Sequence, residues 1–145
     1  MKIKDVMTRA VETVRPDQSI QEAAAKMKSL DVGPMPVTEG DRLVGMITDR
    51  DIVIRAVADG RDTRTTKVRD AMTTDVVCCN EDDDVQAAAT KMEKRQIRRL
   101  VVVDANQRVS GIVSLGDIAI NSDEKMSGRV LEEVSRPSHQ VTDPR

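Results

Sequence analysis

Two stretches of this chain carry side chains able to do chemistry, and they are versions of each other. Gly45-Met46-Ile47-Thr48-Asp49-Arg50-Asp51 recurs as Gly111-Ile112-Val113-Ser114-Leu115-Gly116-Asp117. In each, a glycine precedes two apolar residues and a hydroxyl, and an aspartate sits three positions after the hydroxyl. A hydroxyl that donates and accepts, beside a carboxylate that only accepts, suits sugar hydroxyls or phosphate oxygens. Each stretch reads as a strand turning into a helix, whose first N–H groups would favour negative charge. A plainer reading exists: Thr48 and Ser114 are good N-cap residues, and aspartate belongs in a first turn. Recurrence of the whole pattern at matching places is what favours a ligand.

The elements that must position these residues are themselves duplicated. An offset of 65 lays Asp5-Val6-Met7-Thr8 on Asp70-Ala71-Met72-Thr73, and Gln21 to Met27 on Gln86 to Met92. One extra residue near Asn106-Gln107 then brings Gly45 onto Gly111 and Asp51 onto Asp117. Val11-Glu12-Thr13-Val14 alternates like a short strand, broken by Arg15-Pro16-Asp17. Ser19-Ile20-Gln21-Glu22 has the spacing of a capping box. Ile20, Ala23, Ala24 and Met27 share one face of a helix running to about Leu30. Val85, Ala88, Ala89 and Met92 repeat that face behind Glu81-Asp82-Asp83-Asp84, an acidic run that complements a helix start.

A hairpin follows each helix, Met35 to Thr38 with Leu43 to Thr48, and Leu100 to Val103 with Arg108 to Ser114. Short helices, Arg50 to about Ala58 and Gly116 to about Asn121, close each copy. The fold class is therefore α+β: two pseudo-symmetric β-α-β-β-α repeats, each small for independent stability, packed through their sheets. The division is 1–60 for the first repeat, 61–69 for a linker, 70–121 for the second repeat and 122–145 for a C-terminal helix and tail. In that last part Val130, Leu131 and Val134 form an apolar stripe that Pro137 ends. His139, the single histidine, reads as a solvated tail residue.

Composition excludes several functions. The 145 residues carry a net charge of −2 and no Phe, Trp or Tyr. Basic residues are dispersed among acids, and no aromatic side chain is present on which a base could stack. Both facts argue against a nucleic-acid binder. No apolar run reaches the length of a membrane span, and Met1-Lys2-Ile3-Lys4-Asp5 does not begin a signal peptide. Cys78 and Cys79, adjacent in a strand, point to opposite faces and make neither a disulfide framework nor a spaced metal site. The expectation is a cytoplasmic protein in a reducing compartment.

Together these residues resemble a tandem CBS-domain pair (cystathionine-beta-synthase domains, or Bateman module), from about Lys4 to Asn121. The two Asp-x-Met-Thr openings, the Ala-rich helices and the two Gly-h-h-[Ser/Thr]-x-x-Asp endings carry the resemblance. It is similar to stand-alone bacterial CBS-pair proteins. The resemblance implies two clefts between the repeats, each able to hold an adenine nucleotide (AMP, ADP or ATP) or a related ligand such as NAD or S-adenosylmethionine. Thr48 with Asp51, and Ser114 with Asp117, would contact phosphate or ribose. Val32 and Met35 in the first copy, with Ile97, Arg98 and Arg99 in the second, stand where the family holds the base. Thr8 and Thr73 would line the clefts.

The resemblance also implies unequal clefts. Arg98-Arg99 matches a basic pair that meets phosphate, whereas the first copy has Gly33-Pro34, leaving Arg50 as the cation nearest Thr48 and Asp51. In the family's layout the cleft of Ser114 and Asp117 would include Arg99 and the apolar segment of the first copy. Surface arginines remain the alternative for the pair. A homodimer and a regulated partner protein are further implications. No Ser-His-Asp set, no P-loop and no spaced metal ligands are present, so a regulatory binding module is expected and an enzyme is not. A structural or interaction module without a nucleotide is the alternative.

Overall fold

The computed structural model describes residues 1–9 and 11–121. The helix expected over 122–145, with Val130, Leu131, Val134 and His139, lies outside the described residues. The chain forms two compact units. One holds Glu12–Val76 and Gln107–Val109; the other holds Met1–Val11, Val77–Asn106 and the chain from Ser110. The duplication runs 1–60 and 70–121 along the sequence, but packing divides it differently. The opening segment of each copy belongs to the unit built on the other copy.

In the unit of residues 12–76, α1 (Ile20–Leu30) is capped by Ser19, whose Oγ accepts the Glu22 N–H at 3.1 Å. The capping box is only half formed, because the Glu22 carboxylate accepts from the Gln18 side-chain amide instead. Asp31, left-handed at φ 54°, ends the helix. β1 (Met35–Glu39) and β2 (Arg42–Ile47) pair antiparallel with a register shift between Val37 and Thr38. Gly40 supplies the positive φ of 63° in their turn, which glycine adopts without strain. α2 (Asp49–Ile52) runs on into a π turn at Val53–Val57.

The segment 61–69 is mostly exposed but bonded to the first long helix. Thr66 and Thr63 carbonyls accept the N–H groups of Ile20 and Gln21, so the connection satisfies the orphan donors at the start of α1. It leads into α3 (Val68–Ala71). Ile20, Ala23 and Met27 share one core with Val37, Ile47, Val68 and Ala71.

The other unit repeats the scheme. Ile3–Asp5 forms a 3₁₀ turn whose first two N–H groups bond to the acidic run, Ile3 N–H to the Asp83 carbonyl and Lys4 N–H to the Glu81 carbonyl, both at 2.9 Å. β3 (Cys78–Asn80) precedes α4 (Val85–Arg95), which Asp84 caps through the Gln86 N–H and which Gln96 ends at φ 54°. β4 (Arg99–Val103) and β5 (Val109–Ser114) complete a three-stranded sheet in the order β3-β4-β5, followed by α5 (Leu115–Asn121). Ala88, Ala89 and Met92 are fully buried against Leu100, Val102 and Val113, so the expected apolar face of the second helix is core.

The strand expected over Val11–Val14 does not form. Only Val14 pairs, as a parallel bridge to Val37, with Val14 N–H on the Pro36 carbonyl and Thr38 N–H on the Val14 carbonyl. Extending that ladder backward needs an N–H from Pro36, and extending it forward needs one from Pro16. Proline has none. In the second copy Val101 and Glu81 stand at those positions, Glu81 N–H donates to Val103 at 2.9 Å, and a true strand results.

Candidate ligand-binding site

In each ending motif the hydroxyl residue and the aspartate exchange two hydrogen bonds, each side chain accepting from the other residue's main-chain N–H. Thr48 N–H donates to Asp51 Oδ2 at 2.9 Å and Asp51 N–H donates to Thr48 Oγ1 at 3.0 Å. Ser114 N–H donates to Asp117 Oδ2 at 2.9 Å and Asp117 N–H donates to Ser114 Oγ at 3.1 Å. Both the capping role and a presented carboxylate are thus served by one arrangement. In each pair the aspartate's Oδ1 takes no part in the cap, although Asp51 Oδ1 faces a cation, and each hydroxyl keeps its proton to donate. The helices behind these caps are short, so their dipoles add little.

The openings reach the same places. Met46 and Thr73 pair as an antiparallel bridge, as do Thr8 and Ile112. Gly45 and Gly111 allow this approach. A Cβ on Gly111 would lie 2.6 Å from the Thr8 carbonyl oxygen, and one on Gly45 would lie 2.7 Å from Met72 Sδ and 3.0 Å from the Thr73 carbonyl oxygen. One unit therefore gathers Thr48, Asp51 and Thr73. The other gathers Thr8, Ser114 and Asp117, with Arg98 tied in through its carbonyl, which accepts the Leu115 N–H at 2.8 Å.

The remaining residues singled out from the sequence are placed unevenly. Arg98 and Arg99 are exposed at the start of β4, free of the core. Ile97 is buried, and Met35 is 1% exposed inside its unit's core, so any part Met35 plays toward a base falls to its main chain. Val32 is exposed. Arg50 is exposed, and its main-chain N–H donates to Asp49 Oδ1. Two further charged residues adjoin these groups. Arg55 Nε stands 4.0 Å from Asp51 Oδ1, a contact foreshadowed by their i,i+4 spacing. The Asp49 carboxylate lies over Gly33, where a Cβ would meet its Oδ1 at 3.1 Å.

Away from these groups, Cys78 and Cys79 are free thiols, half-buried and buried respectively. Burial pushes the Cys79 thiol up to about 12. Among the described residues no set of His, Cys, Asp and Glu is arranged to hold a metal ion, and no helix is long and apolar enough to cross a membrane.

Comparison with known proteins fits this duplicated geometry. The family model of the CBS domain matches residues 3–57 and 68–123. The CBS domain-containing protein YhcV of Bacillus subtilis is 46% identical over 134 residues, spanning 92% of this chain and 94% of its own length. Hypoxic response protein 1 of Mycobacterium tuberculosis is 31% identical over 92% of this chain and 94% of its own. A crystal structure of Hypoxic Response Protein I with two coordinated zinc ions superposes with a TM-score of 0.76, at 32% identity over 84% of this chain and 99% of that one. The CBS domain pair of protein MJ0100, solved in complex with 5′-methylthioadenosine and S-adenosyl-L-methionine, gives 0.72 at 32% identity, over 83% and 94% of the two chains. With two matched repeats, two ending motifs in the same geometry and relatives alike over nearly their full length, this chain belongs to the CBS domain family as a tandem pair.

Proposed function

We propose that this protein is a non-catalytic regulatory module that binds an adenosine-containing ligand at Thr48, Asp51 and Thr73, and at Ser114, Asp117 and Thr8. The observation that carries the reading is the twice-built hydroxyl–aspartate pair, which orients a carboxylate through one oxygen and leaves the other for a sugar hydroxyl. The MJ0100 pair with its adenosyl ligands supports the ligand class. Val32 and the main chain at Met35 and Ile97 would meet the base, and Arg98 and Arg99 a phosphate. AMP, ADP, ATP, NAD and S-adenosylmethionine are the candidates. Binding would signal by favouring one shape of the chain, or one partner complex, over another. A homodimer in the cytoplasm acting on a separate protein is the setting this reading assumes.

A second reading, an interaction module without a nucleotide, is favoured by one observation: the caps alone account for Thr48, Asp51, Ser114 and Asp117. One measurement separates the two. Without aromatic residues the chain hardly absorbs in the near ultraviolet, so a co-purified adenine ring would dominate its spectrum. Calorimetry with AMP, ATP, NAD and S-adenosylmethionine then identifies the ligand. Heat from none of them, with no thermal protection, leaves the second reading standing.

A further inference from the structure

Arg55 gives the first hydroxyl–aspartate pair something the second lacks. Its Nε faces Asp51 Oδ1 at 4.0 Å, while its Nη1 donates to the Met72 carbonyl at 3.1 Å and the Ala71 carbonyl at 3.4 Å. One guanidinium thus meets the carboxylate oxygen that Thr48 leaves untouched and is held from behind by the residues just before Thr73. One repeat later, position 121 is asparagine, whose amide donates to the Asp117 main-chain carbonyl at 2.8 Å. Among the described residues no cation stands beside Asp117.

The difference mirrors another. The second copy has Arg98-Arg99 where the first has Gly33-Pro34, with the Asp49 carboxylate lying over Gly33. From these contacts we propose that Arg55 is the specificity-determining cation of the Thr48–Asp51 group, selecting an adenosine ligand with an anionic substituent over uncharged adenosine. This rests on the adenosine reading above. A guanidinium keeps its charge at every working pH, and its remaining N–H groups suit phosphate oxygens. At 4.0 Å the ion pair is long and the Arg55 side chain is half-exposed though Asp51 is largely buried, so Arg55 can turn part of its charge to a ligand without breaking the cap. A phosphate esterified to a ribose at Asp51 stays within the roughly 8 Å over which physiological salt leaves a charge felt.

The test uses the full chain carrying Asp117→Ala, which silences the second group, with adenosine and AMP as probes in calorimetry. Arg55→Gln is expected to lose about five-fold in AMP affinity while adenosine affinity holds. Arg55→Lys, which keeps the charge, is expected to restore most of the AMP preference. Equal losses for both probes would mean that Arg55 acts only on the fold, and an unchanged AMP preference would mean that it does not select; either overturns the proposal. Failure of the Asp117→Ala chain to bind AMP and adenosine overturns this proposal, whereas the adenosine reading itself falls only if ATP, NAD and S-adenosylmethionine also give no heat with the unsubstituted chain.

Discussion

Ser114 and Asp117 bond to each other in both directions, main chain to side chain, at 2.9 and 3.1 Å, and Thr48 and Asp51 do the same. Each aspartate is therefore both a cap and a candidate ligand contact, and substitutions can separate the two roles. Asp117→Ala should cost about 1 kcal/mol of stability through the lost cap. Asp117→Asn keeps an acceptor for the Ser114 N–H and should melt near the parent, yet lose AMP affinity with the charge. Asp117→Ala should also weaken AMP binding more than Asp51→Ala, because the second copy carries Arg98-Arg99 for phosphate where the first has Gly33-Pro34. Equal calorimetric losses would contradict that ranking.

The two motif glycines should tolerate a methyl group to different degrees. At Gly111 the added Cβ meets the Thr8 carbonyl oxygen at 2.6 Å, a main-chain atom that cannot step aside. At Gly45 the nearest atom is the flexible end of Met72, and the Thr73 carbonyl oxygen lies at 3.0 Å. Gly111→Ala should cost about 1–3 kcal/mol, and Gly45→Ala less. Thermal melting of the two variants side by side checks the order.

A lysine in each long helix reaches the equivalent carbonyl of its own copy. Lys26 Nζ donates to the Thr13 carbonyl and Lys91 Nζ to the Cys78 carbonyl, both at 2.6 Å. Lys26 also pairs with Glu12 at 3.2 Å, whereas the position matching Glu12 in the second copy is Val77, which cannot pair with Lys91. Lys91→Met keeps the aliphatic stem and removes the charged donor, which should cost about 1–2 kcal/mol. Salt should change that loss little, since the partner is a dipole. Denaturant titrations at low and high ionic strength make the check.

The N-terminal segment should answer to pH through Lys4 and Asp82, whose side chains meet at 3.1 Å. The hydrogen bond from Lys4, and then its charge, hold the Asp82 carboxyl below its ordinary 3.8. The same contact raises the Lys4 ammonium above 10.5. For a lowered acid the stabilisation is complete above the unfolded value and disappears as pH falls through the folded one. For a raised amine it is complete below the unfolded value and disappears as pH rises through the folded one. The melting-temperature gap between the parent and Lys4→Met should thus be flat near neutrality, close in acid below the Asp82 value, and shrink with salt.

Cys79 should resist alkylation in the folded chain. Its thiol is buried and pushed up to about 12, and the thiolate is the reacting form. Mass spectrometry after a short iodoacetamide pulse at mildly alkaline pH should find Cys79 unmodified until denaturant is added. Labelling of Cys79 at the rate of an unfolded thiol would show that its strand opens readily.

Much of this protein was legible in its residues because the relevant forces act over a few positions. Apolar spacing placed α1 and α4 within a residue of their observed starts, and Ser19 and Asp84 mark those starts by capping. The repeat of Gly-h-h-[Ser/Thr]-x-x-Asp foretold two equivalent turns, since a hydroxyl and a carboxylate three apart meet across a first helical turn. What required the tertiary structure was every relationship that long-range main-chain pairing decides. Thr8 belongs beside Ile112 and Thr73 beside Met46, exchanging the openings between copies, because strand edges pair through N–H and C=O groups common to all residues. Val11–Val14 fails as a strand only because its register sets it against Pro36, with Pro16 next in line. Arg55 joins Asp51 to Ala71 and Met72 for the same reason: the fold brought a carbonyl pair, invisible in side-chain chemistry, within reach of its guanidinium.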